Sequence, residues 1–395
     1  MDLYTQSRII ERSEVFVWPP EDHGMGDSLD AYVERRLPVT ALREPGYHIR
    51  KVSLLGLYPG HLEAMASELG LDRFDRLAFV AKPPRRLNSV RPVFLVSRDG
   101  SELVVCVPPG LDYLKHYTSL LRRFYTGVYR PPVFESRYFP RAAQEIATWT
   151  GLAGQQFEAN SSVVLGHVDE FAQAVPELLA KLTTVFVNEY LTIERFEAGG
   201  RPVYLVAFAF SFWGETAGRL TEAIYENGAA EIIYLGKVGA LDREIVLYGD
   251  LVIPDRFMLA EHDRVFRAPF AVPNGLVAAT EGGGLHVTTP TVLEQSHLQR
   301  AAFAALAPRT IDNEIAYMAR SADLRNRGLF GPGAVRFSSL SFATDYVRPN
   351  AQADWSADFN LANNRTSAAR ERRMVAMKRA SRLLYHYLEV SSPLK

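Results

Sequence analysis

One stretch decides the fold of the longer part of this chain: residues 231–241, which read EIIYLGKVGAL. Its apolar first half is typical of a buried β-strand. Gly236 and Gly239 follow three residues apart, where the lack of a side chain lets the backbone approach a ligand and turn its N–H groups toward an anion. The stretch therefore predicts a strand that ends in a glycine turn at a binding site.

Strand-like and helix-like patterns alternate on both sides of this stretch. Such alternation predicts an α/β domain with a mixed central sheet flanked by helices. Ligands of such sheets bind beyond the carboxyl ends of the strands. We predict strands at residues 162–165, 204–210, 231–235, 251–253 and 276–279, and helices at residues 170–182, 217–227 and 293–306.

The first part of the chain is predicted to be an additional N-terminal α/β domain. Pro131 and Pro132 cannot lie inside a helix, so residues 129–134 are a candidate linker. We place the domain boundary near residues 155–161, with residues 1–155 as a domain of unknown role and 156–395 as the second domain. Predicted strands are residues 52–57, 77–80, 93–96 and 103–107, and predicted helices are 62–69, 111–124 and 142–151.

Composition limits the classes of function. The 395 residues are 47% hydrophobic with a net charge of −1, so a polynucleotide-binding surface is not expected. Cys106 is the only cysteine and lies in an apolar run, which predicts a buried strand residue. His286 and His297 lack metal-ligand spacing, so we predict no metal. Without a secretory start or an apolar run of roughly 20 residues, we expect a cytoplasmic protein without a membrane partner.

The order of the motifs resembles one enzyme superfamily. Residues 212–218 (FWGETAG) form a second glycine turn that opens a helix, and residues 311–319 (IDNEIAYMA) and 342–345 (FATD) follow downstream. Together with residues 248–254 (YGDLVIP), they resemble the purine nucleoside phosphorylase and methylthioadenosine nucleosidase superfamily over roughly residues 160–388. The resemblance implies a nucleoside phosphorylase-like fold, action on N-glycosidic bonds, and a homo-oligomer.

The resemblance also implies roles for three carboxyl groups. Glu314 would bind the ribose hydroxyls, since a carboxylate accepts two O–H groups. Asp345 would be the base-recognising aspartate that protonates N7 as the bond breaks. Glu170 would prepare the attacking water. The alternatives are an exposed helix glutamate at 314, a turn-capping aspartate at 345, and a first-turn acid at 170 that is favoured by the helix dipole.

Departures from the superfamily pattern bear on the reaction. Tyr234 and Lys237 stand where phosphorylases carry a phosphate-binding arginine and a serine or threonine. After Gly166 an acidic run replaces the second arginine, which disfavours binding of a phosphate dianion. Lys237 could bind an anionic group of the substrate or pair with a structural carboxylate.

The remaining predicted binding residues surround the glycine turns. Asn313 replaces the usual methionine and suggests a polar ligand, and Trp213 could stack on a base. Gly214, Thr216 and Gly236 belong to the turns themselves. Residues 366–388 are predicted to form an amphipathic helix that packs on the sheet and has a solvated basic face.

Together the resemblance and the departures from it imply a nucleosidase-type hydrolase that cleaves a purine nucleoside or related derivative without a cofactor. One alternative is a phosphorylase whose phosphate is held by Lys237 and arginines from elsewhere, such as Arg219. The others are a catalytically silent nucleoside or nucleotide sensor and a biosynthetic enzyme that reuses the pocket.

Overall fold

A computed structural model describes residues 14–16, 28–77, 91–260, 269–272, 274–277, 283–294, 305–329, 334–347 and 367–390. The chain divides into two compact units, Met1–Pro84 with Ser89–Ile146, and Arg85–Asn88 with Ala147–Lys395. This division falls slightly before the boundary predicted near residues 155–161. The prediction of a mixed α/β fold with an additional N-terminal α/β domain is confirmed.

The first unit is built on a six-stranded sheet in the order β1-β6-β2-β5-β4-β3. Strand β2 pairs in parallel with β5 and β6, and the other pairs are antiparallel. The strands are β1 Glu14–Phe16, β2 Lys51–Gly56, β3 Phe74–Arg76, β4 Val93–Ser97, β5 Glu102–Val107 and β6 Val133–Tyr138. The helices are α1 Ser28–Arg36, α2 Val39–Leu42, α3 Pro59–Ala64, α4 Leu111–Phe124 and α5 Pro140–Gln144, with a 3-10 turn at Leu71–Arg73. Helix α6, Ile146–Trp149, begins at the last residue of this unit and continues into the second.

Most of the predicted elements of this unit are present. Cys106 is buried in β5, as predicted, and its Sγ donates to the carbonyl of Leu57 at 2.6 Å. The predicted linker at residues 129–134 is wrong, because β6 begins directly after Pro132 and pairs with β2. Pro131 and Pro132 therefore lie at the end of the connection between α4 and β6, directly before the strand begins. Residues 78–80 of one predicted strand lie outside the described residues.

The second unit contains an eleven-stranded mixed sheet. Nine strands follow the order β14-β13-β15-β16-β11-β7-β10-β9-β8, and β17 pairs with both β11 and β12. Its strands are β7 Ser162–Gly166, β8 Thr183–Val187, β9 Leu191–Ala198, β10 Arg201–Phe208, β11 Glu231–Ala240, β12 Leu251–Val252, β13 Arg256–Leu259, β14 Phe270–Ala271, β15 Leu285–Thr288, β16 Thr310–Asp312 and β17 Arg336–Tyr346.

Helices pack on this sheet through its apolar strands. Residues of β11 and β17 share one core with α7 and α11, where Leu235, Phe342, Phe171 and Leu384 are fully buried. Helices α9 and α10 contact each other where Ser321 Oγ donates to the carbonyl of Gly218 at 2.9 Å. The helices are α7 Val168–Ala174, α8 Pro176–Leu179, α9 Glu215–Glu226, α10 Ile315–Asn326 and α11 Ser367–Val390, with 3-10 turns at Leu152–Gly154 and Val292–Glu294.

Several predicted boundaries in this unit were wrong. The helix predicted at residues 170–182 is two short helices, because Pro176 lacks the N–H that would continue the first. Residues 276–277 form a turn where a strand was predicted, and residues 278–279 lie outside the described part. Of the helix predicted at residues 293–306, only a 3-10 turn at its start and a turn at its end are described. Within the described ranges, no helix is long and apolar enough to cross a membrane.

A buried ion pair joins the amino ends of the central strands. Arg201 Nη1 donates to Oε2 of Glu231 at 3.1 Å, and their side chains are only 2% and 1% exposed. Ser162 Oγ donates to the same oxygen at 2.7 Å, and Tyr387 Oη of α11 donates to Oε1 at 2.6 Å. One carboxylate therefore connects β7, β10, β11 and the terminal helix.

We expect Glu231→Gln to lower the free energy of unfolding by about 3–5 kcal/mol, because Arg201 would remain buried without a counter-charge. Chemical denaturation followed by circular dichroism measures this loss. Asp323→Asn is the control, since Asp323 pairs with the exposed Arg327 and its loss should cost below about 1 kcal/mol. Equal losses in the two variants would contradict a stabilising role of the buried pair.

Candidate functional site

The central sheet opens at one point along β11. Strand β7 pairs with β11 only as far as Leu235, and β16 pairs with the same edge from Gly239 onward. Within the described residues, 236–238 therefore have no strand partner at this edge, while β17 pairs along the other. Openings beyond the carboxyl ends of parallel strands are where α/β sheets bind ligands.

Two glycines make room for an aromatic ring beside the opening. Gly166 ends β7 with φ +93°, and a Cβ atom there would collide with the carbonyl oxygen of Leu235. A Cβ atom at Gly236 would collide with the ring of Tyr234, which also lies close to Gly166. Both positions therefore require glycine for close packing.

The glycine turn predicted at residues 236–239 is wrong. Strand β11 continues through both glycines to Ala240, because β17 pairs with it over this whole length. The ladder is irregular only between Val238 and Gly239, where the register with β17 shifts. Gly236 thus contributes an open strand edge and space for Tyr234, and not a loop.

Lys237 lies at the centre of the predicted site residues. The residue as a whole remains exposed, whereas its ammonium group is densely surrounded by protein. Burial and repulsion from Arg373 lower the pKa of Lys237 to about 8, while Asp345, Glu314 and Glu170 oppose this shift. The structure therefore brings together four side chains that were predicted from the sequence.

Glu170 lies in the first turn of α7 and is held by two basic side chains. His167 Nδ1 and Arg373 Nη2 each lie 3.3 Å from its Oε1. Burial raises the pKa of Glu170, but hydrogen bonding to His167 and the charge of Arg373 outweigh it and leave the pKa at about 2. Glu170 is therefore ionised at neutral pH, and the predicted solvated basic face of α11 is wrong at Arg373.

Asp345 lies inside β17 and not in a turn. Its side chain is buried, and Thr344 Oγ1 donates to its Oδ1 at 2.7 Å. The register with β11 places Asp345 beside Gly239, close to the opening. The turn-capping alternative for Asp345 does not fit this position.

Glu314 follows β16 and caps α10. Its Oε2 accepts a hydrogen bond from the backbone N–H of Asn313 at 3.2 Å. Burial and the neighbouring Asp312 carboxylate raise the pKa of Glu314 well above its usual range. In the free protein this favours a neutral carboxylic acid over the acceptor-only carboxylate that the sequence predicts.

Asn313 makes structural contacts. Its Nδ2 donates to the carbonyl oxygen of Thr289 at 2.9 Å and to Thr289 Oγ1 at 3.1 Å. Its own carbonyl accepts the N–H of Gly214 at 2.6 Å. The amide protons of Asn313 and the N–H of Gly214 are therefore occupied, which removes the reason to expect a more polar ligand from Asn313.

The turn before α9 joins the site through this contact. Gly214 has φ +58° and precedes the helix, Thr216 is buried in its first turn, and Trp213 is half-buried. Arg219 Nε donates to Glu215 Oε1 at 3.0 Å. Arg219 is thus paired with a carboxylate of its own helix, which weakens its candidacy as a phosphate ligand.

Sequence reasoning missed three participants. Arg373 comes from a helix far along the chain, and no local pattern marks it. His167 follows the glycine that ends β7, a position that could have been inferred from the motif. Asp312 precedes Glu314 and could have been noticed as a second carboxyl beside it. Within the described part of the chain, no group of three or more His, Cys, Asp or Glu side chains could hold a metal ion.

Comparison with known sequences finds one curated relative. The chain is 26% identical to a protein named oxidoreductase cns1 from Cordyceps militaris, over 94% of this chain and 49% of that protein. It therefore spans about half the length of that relative. No protein family model matches the chain.

Solved structures similar to this chain include several nucleosidases. The 5'-methylthioadenosine/S-adenosylhomocysteine nucleosidase of Neisseria meningitidis, in complex with methylthio-immucillin-A, is 16% identical, with a TM-score of 0.43 over 59% of this chain and 100% of that one. The enzyme of Colwellia psychrerythraea 34H, in complex with adenine, is 17% identical, with a TM-score of 0.42 over 59% and 96%. The apo 5'-methylthioadenosine nucleosidase of Arabidopsis thaliana is 15% identical, with a TM-score of 0.44 over 60% and 98%.

The charges around Lys237 predict how its pKa responds to substitution. We expect Arg373→Met to raise the pKa of Lys237 from about 8, because a repelling charge is lost, and Glu170→Gln to lower it further, because an attracting charge is lost. NMR of protein labelled with ¹³C at lysine Cε follows this titration, with Lys237→Arg identifying the signal. The signal of Lys51, which lies in the first unit, is the control. Shifts in the opposite directions would contradict the grouping.

Proposed function

We propose that the second unit binds a purine nucleoside or a related derivative beside residues 236–238 and hydrolyses its N-glycosidic bond. The grouping of Glu170, Glu314 and Asp345 around Lys237 carries this proposal. Two carboxyl groups can divide such a hydrolysis, since one delivers a proton to the leaving group while the other holds the water.

Asp345 is the proposed general acid. A departing purine carries negative charge, and a carboxyl that retains its proton can deliver it to N7 as the bond breaks. The Thr344 hydroxyl donates to the buried carboxyl group of Asp345 and fixes its orientation, and the register with β11 places that carboxyl group close to the opening. Both observations support this role for Asp345.

Glu170 is the proposed partner of the attacking water. With a pKa of about 2 it is an ionised but weak base. Weak basicity is sufficient when the sugar is already cation-like in the transition state, because the water is activated late and the carboxylate mainly orients it. The negative charge also stabilises the positive charge that develops on the sugar.

The charges near the opening favour water over phosphate as the attacking group. Arg373 is paired with Glu170, and Arg219 is paired with Glu215. A phosphate dianion would have to approach Glu170 and displace these pairs. Lys237 forms no ion pair within 4.0 Å with a described residue, so it could still bind an anionic group carried by the nucleoside itself.

Release of free base tests the proposed hydrolysis. We expect base release from purine nucleosides and thio-nucleosides without phosphate, reduced by about 10²- to 10⁴-fold in Asp345→Asn, because the general acid is lost. Glu170→Gln should slow release as well, whereas Asp323→Asn, a carboxyl variant outside the opening, should not. Chromatography of the base measures the rate. Strict dependence on phosphate would replace hydrolysis with phosphorolysis.

A second candidate function follows from the curated relative. That protein is named an oxidoreductase and is about twice as long as the matched region. A chain of this kind could retain nucleoside recognition while the chemistry is carried out elsewhere, as a binding module or a biosynthetic enzyme that reuses the opening. The protonated state favoured at Glu314 and the structural role of Asn313 support this candidate, because both differ from the expected sugar site.

Binding without turnover distinguishes the two candidates. For a binding module we expect adenosine to raise the apparent stability by about 2.7 kcal/mol at a concentration 100 times its dissociation constant, with no free base formed. Thermal unfolding together with the base-release assay measures both properties on one sample. Base release at a rate sensitive to Asp345→Asn would exclude the silent module.

The homo-oligomer, the cytoplasmic location, the absence of nucleic-acid and membrane partners, and the independence from cofactors and metals stay predictions. The role of the first unit belongs with them. Size-exclusion chromatography with light scattering measures the first of these.

A further inference from the structure

A buried hydrogen-bonded cluster lies directly behind Glu314, and the proposed reaction does not use it. His286 of β15 is fully buried, and its Nε2 lies 2.8 Å from Oδ1 of Asp312. Its Nδ1 lies 2.8 Å from Thr310 Oγ1. Thr288 Oγ1 donates to Asp312 Oδ1 at 2.6 Å, and the N–H of Ile315 donates to Oδ2 at 2.9 Å.

These contacts hold Asp312 in a fixed position. Its two oxygens accept from a hydroxyl, a backbone N–H and the imidazole, so both oxygens are already occupied as acceptors. Asp312 is only 3% exposed, so its charge is poorly screened. Only one residue separates it from Glu314, and the two carboxyl groups are within hydrogen-bonding reach.

The other groups near Glu314 affect its protonation less than Asp312 does. Tyr234 of β11 interacts with both Glu314 and Asp312, and it is buried and neutral, because burial raises its pKa. Lys237 of β11 favours the charged form of Glu314 but is the weaker influence. Two adjacent carboxyl groups in one site do not both ionise readily, so the proton stays on Glu314.

We propose that His286 and Asp312 are positioning residues that couple recognition of a sugar diol by Glu314 to the loss of one proton. The inference rests on the proposed nucleoside site. A neutral carboxyl can donate one hydrogen bond and accept another, so it suits a single hydroxyl. A vicinal diol donates two hydrogen bonds and needs both oxygens as acceptors, so it requires the carboxylate.

Because of this coupling, the preference of the site for a nucleoside with a diol depends on pH. Affinity for a nucleoside with a 2',3'-diol should rise about tenfold for each pH unit until Glu314 is ionised in the free protein, and then level off. A 2'-deoxynucleoside lacks the diol, so its affinity should change much less with pH. The proton released by Glu314 leaves to solvent.

Titration calorimetry tests the coupling with formycin A, a C-nucleoside whose carbon–carbon glycosidic bond is not hydrolysed, and with its 2'-deoxy form. Measurements in two buffers of different ionisation enthalpy should give proton release for formycin A, approaching one proton below the pH at which Glu314 ionises in the free protein, and little release for the deoxy form. Glu314→Gln and Asp312→Asn should both abolish the release, and Asp323→Asn should not. Binding of formycin A without proton release would overturn the coupling and leave nucleoside binding intact.

A second measurement needs neither a ligand nor a variant at the cluster. NMR of protein labelled with ¹³C at glutamate Cδ should show the Glu314 carboxyl titrating well above the usual glutamate range, with Glu314→Gln identifying its signal. An ordinary titration would overturn the proposal even if nucleosides bind. A raised titration without binding of formycin A would instead support the positioning role and count against the proposed function.

Discussion

Parallel pairing of β11 with β7 on one edge and β17 on the other is the constraint on which the second unit depends. Parallel strands bring their carboxyl ends to the same side of a sheet, so the residues that follow β7 and those that end β17 meet beside β11. Strands β7 and β16 divide the remaining edge without overlapping. Because of that gap, the side chain of Lys237 can lie near the carboxyl groups that come from α7, the start of α10 and β17.

The charged side chains at the two ends of the sheet are compensated to different degrees. At the amino end, Glu231 is buried but accepts hydrogen bonds at both oxygens, so its charge is compensated and stabilises the assembly of strands. At the carboxyl end, Glu170 is compensated by His167 and Arg373, whereas burial raises the pKa of Glu314 and lowers the pKa of Lys237. Unequal compensation of this kind is typical of sites that bind or transform a ligand.

Local patterns were enough to predict β5, the first half of β11 and α4, because periodicity is a property of short segments. Motif order singled out the carboxyl groups at 170, 314 and 345 as candidates. Contacts between distant segments were not predictable in this way. Arg373 meets Glu170 across 203 residues, and whether Gly236 ends a strand depends on β17, which follows much later in the sequence. The double proline misled for the same reason, since the partner of β6 is β2 near the other end of that unit.

Helix α11 contacts both ends of the sheet, since Tyr387 reaches Glu231 and Arg373 reaches Glu170. These residues are 14 positions apart, which at 1.5 Å per residue separates them by about 21 Å along the axis. The helix therefore fixes the distance between the two carboxylates that it contacts. It follows all the described strands, so during synthesis the sheet can pair before α11 is present. The ion pair between Glu170 and Arg373 then forms only when α11 docks, so its presence marks the completed fold of the second unit.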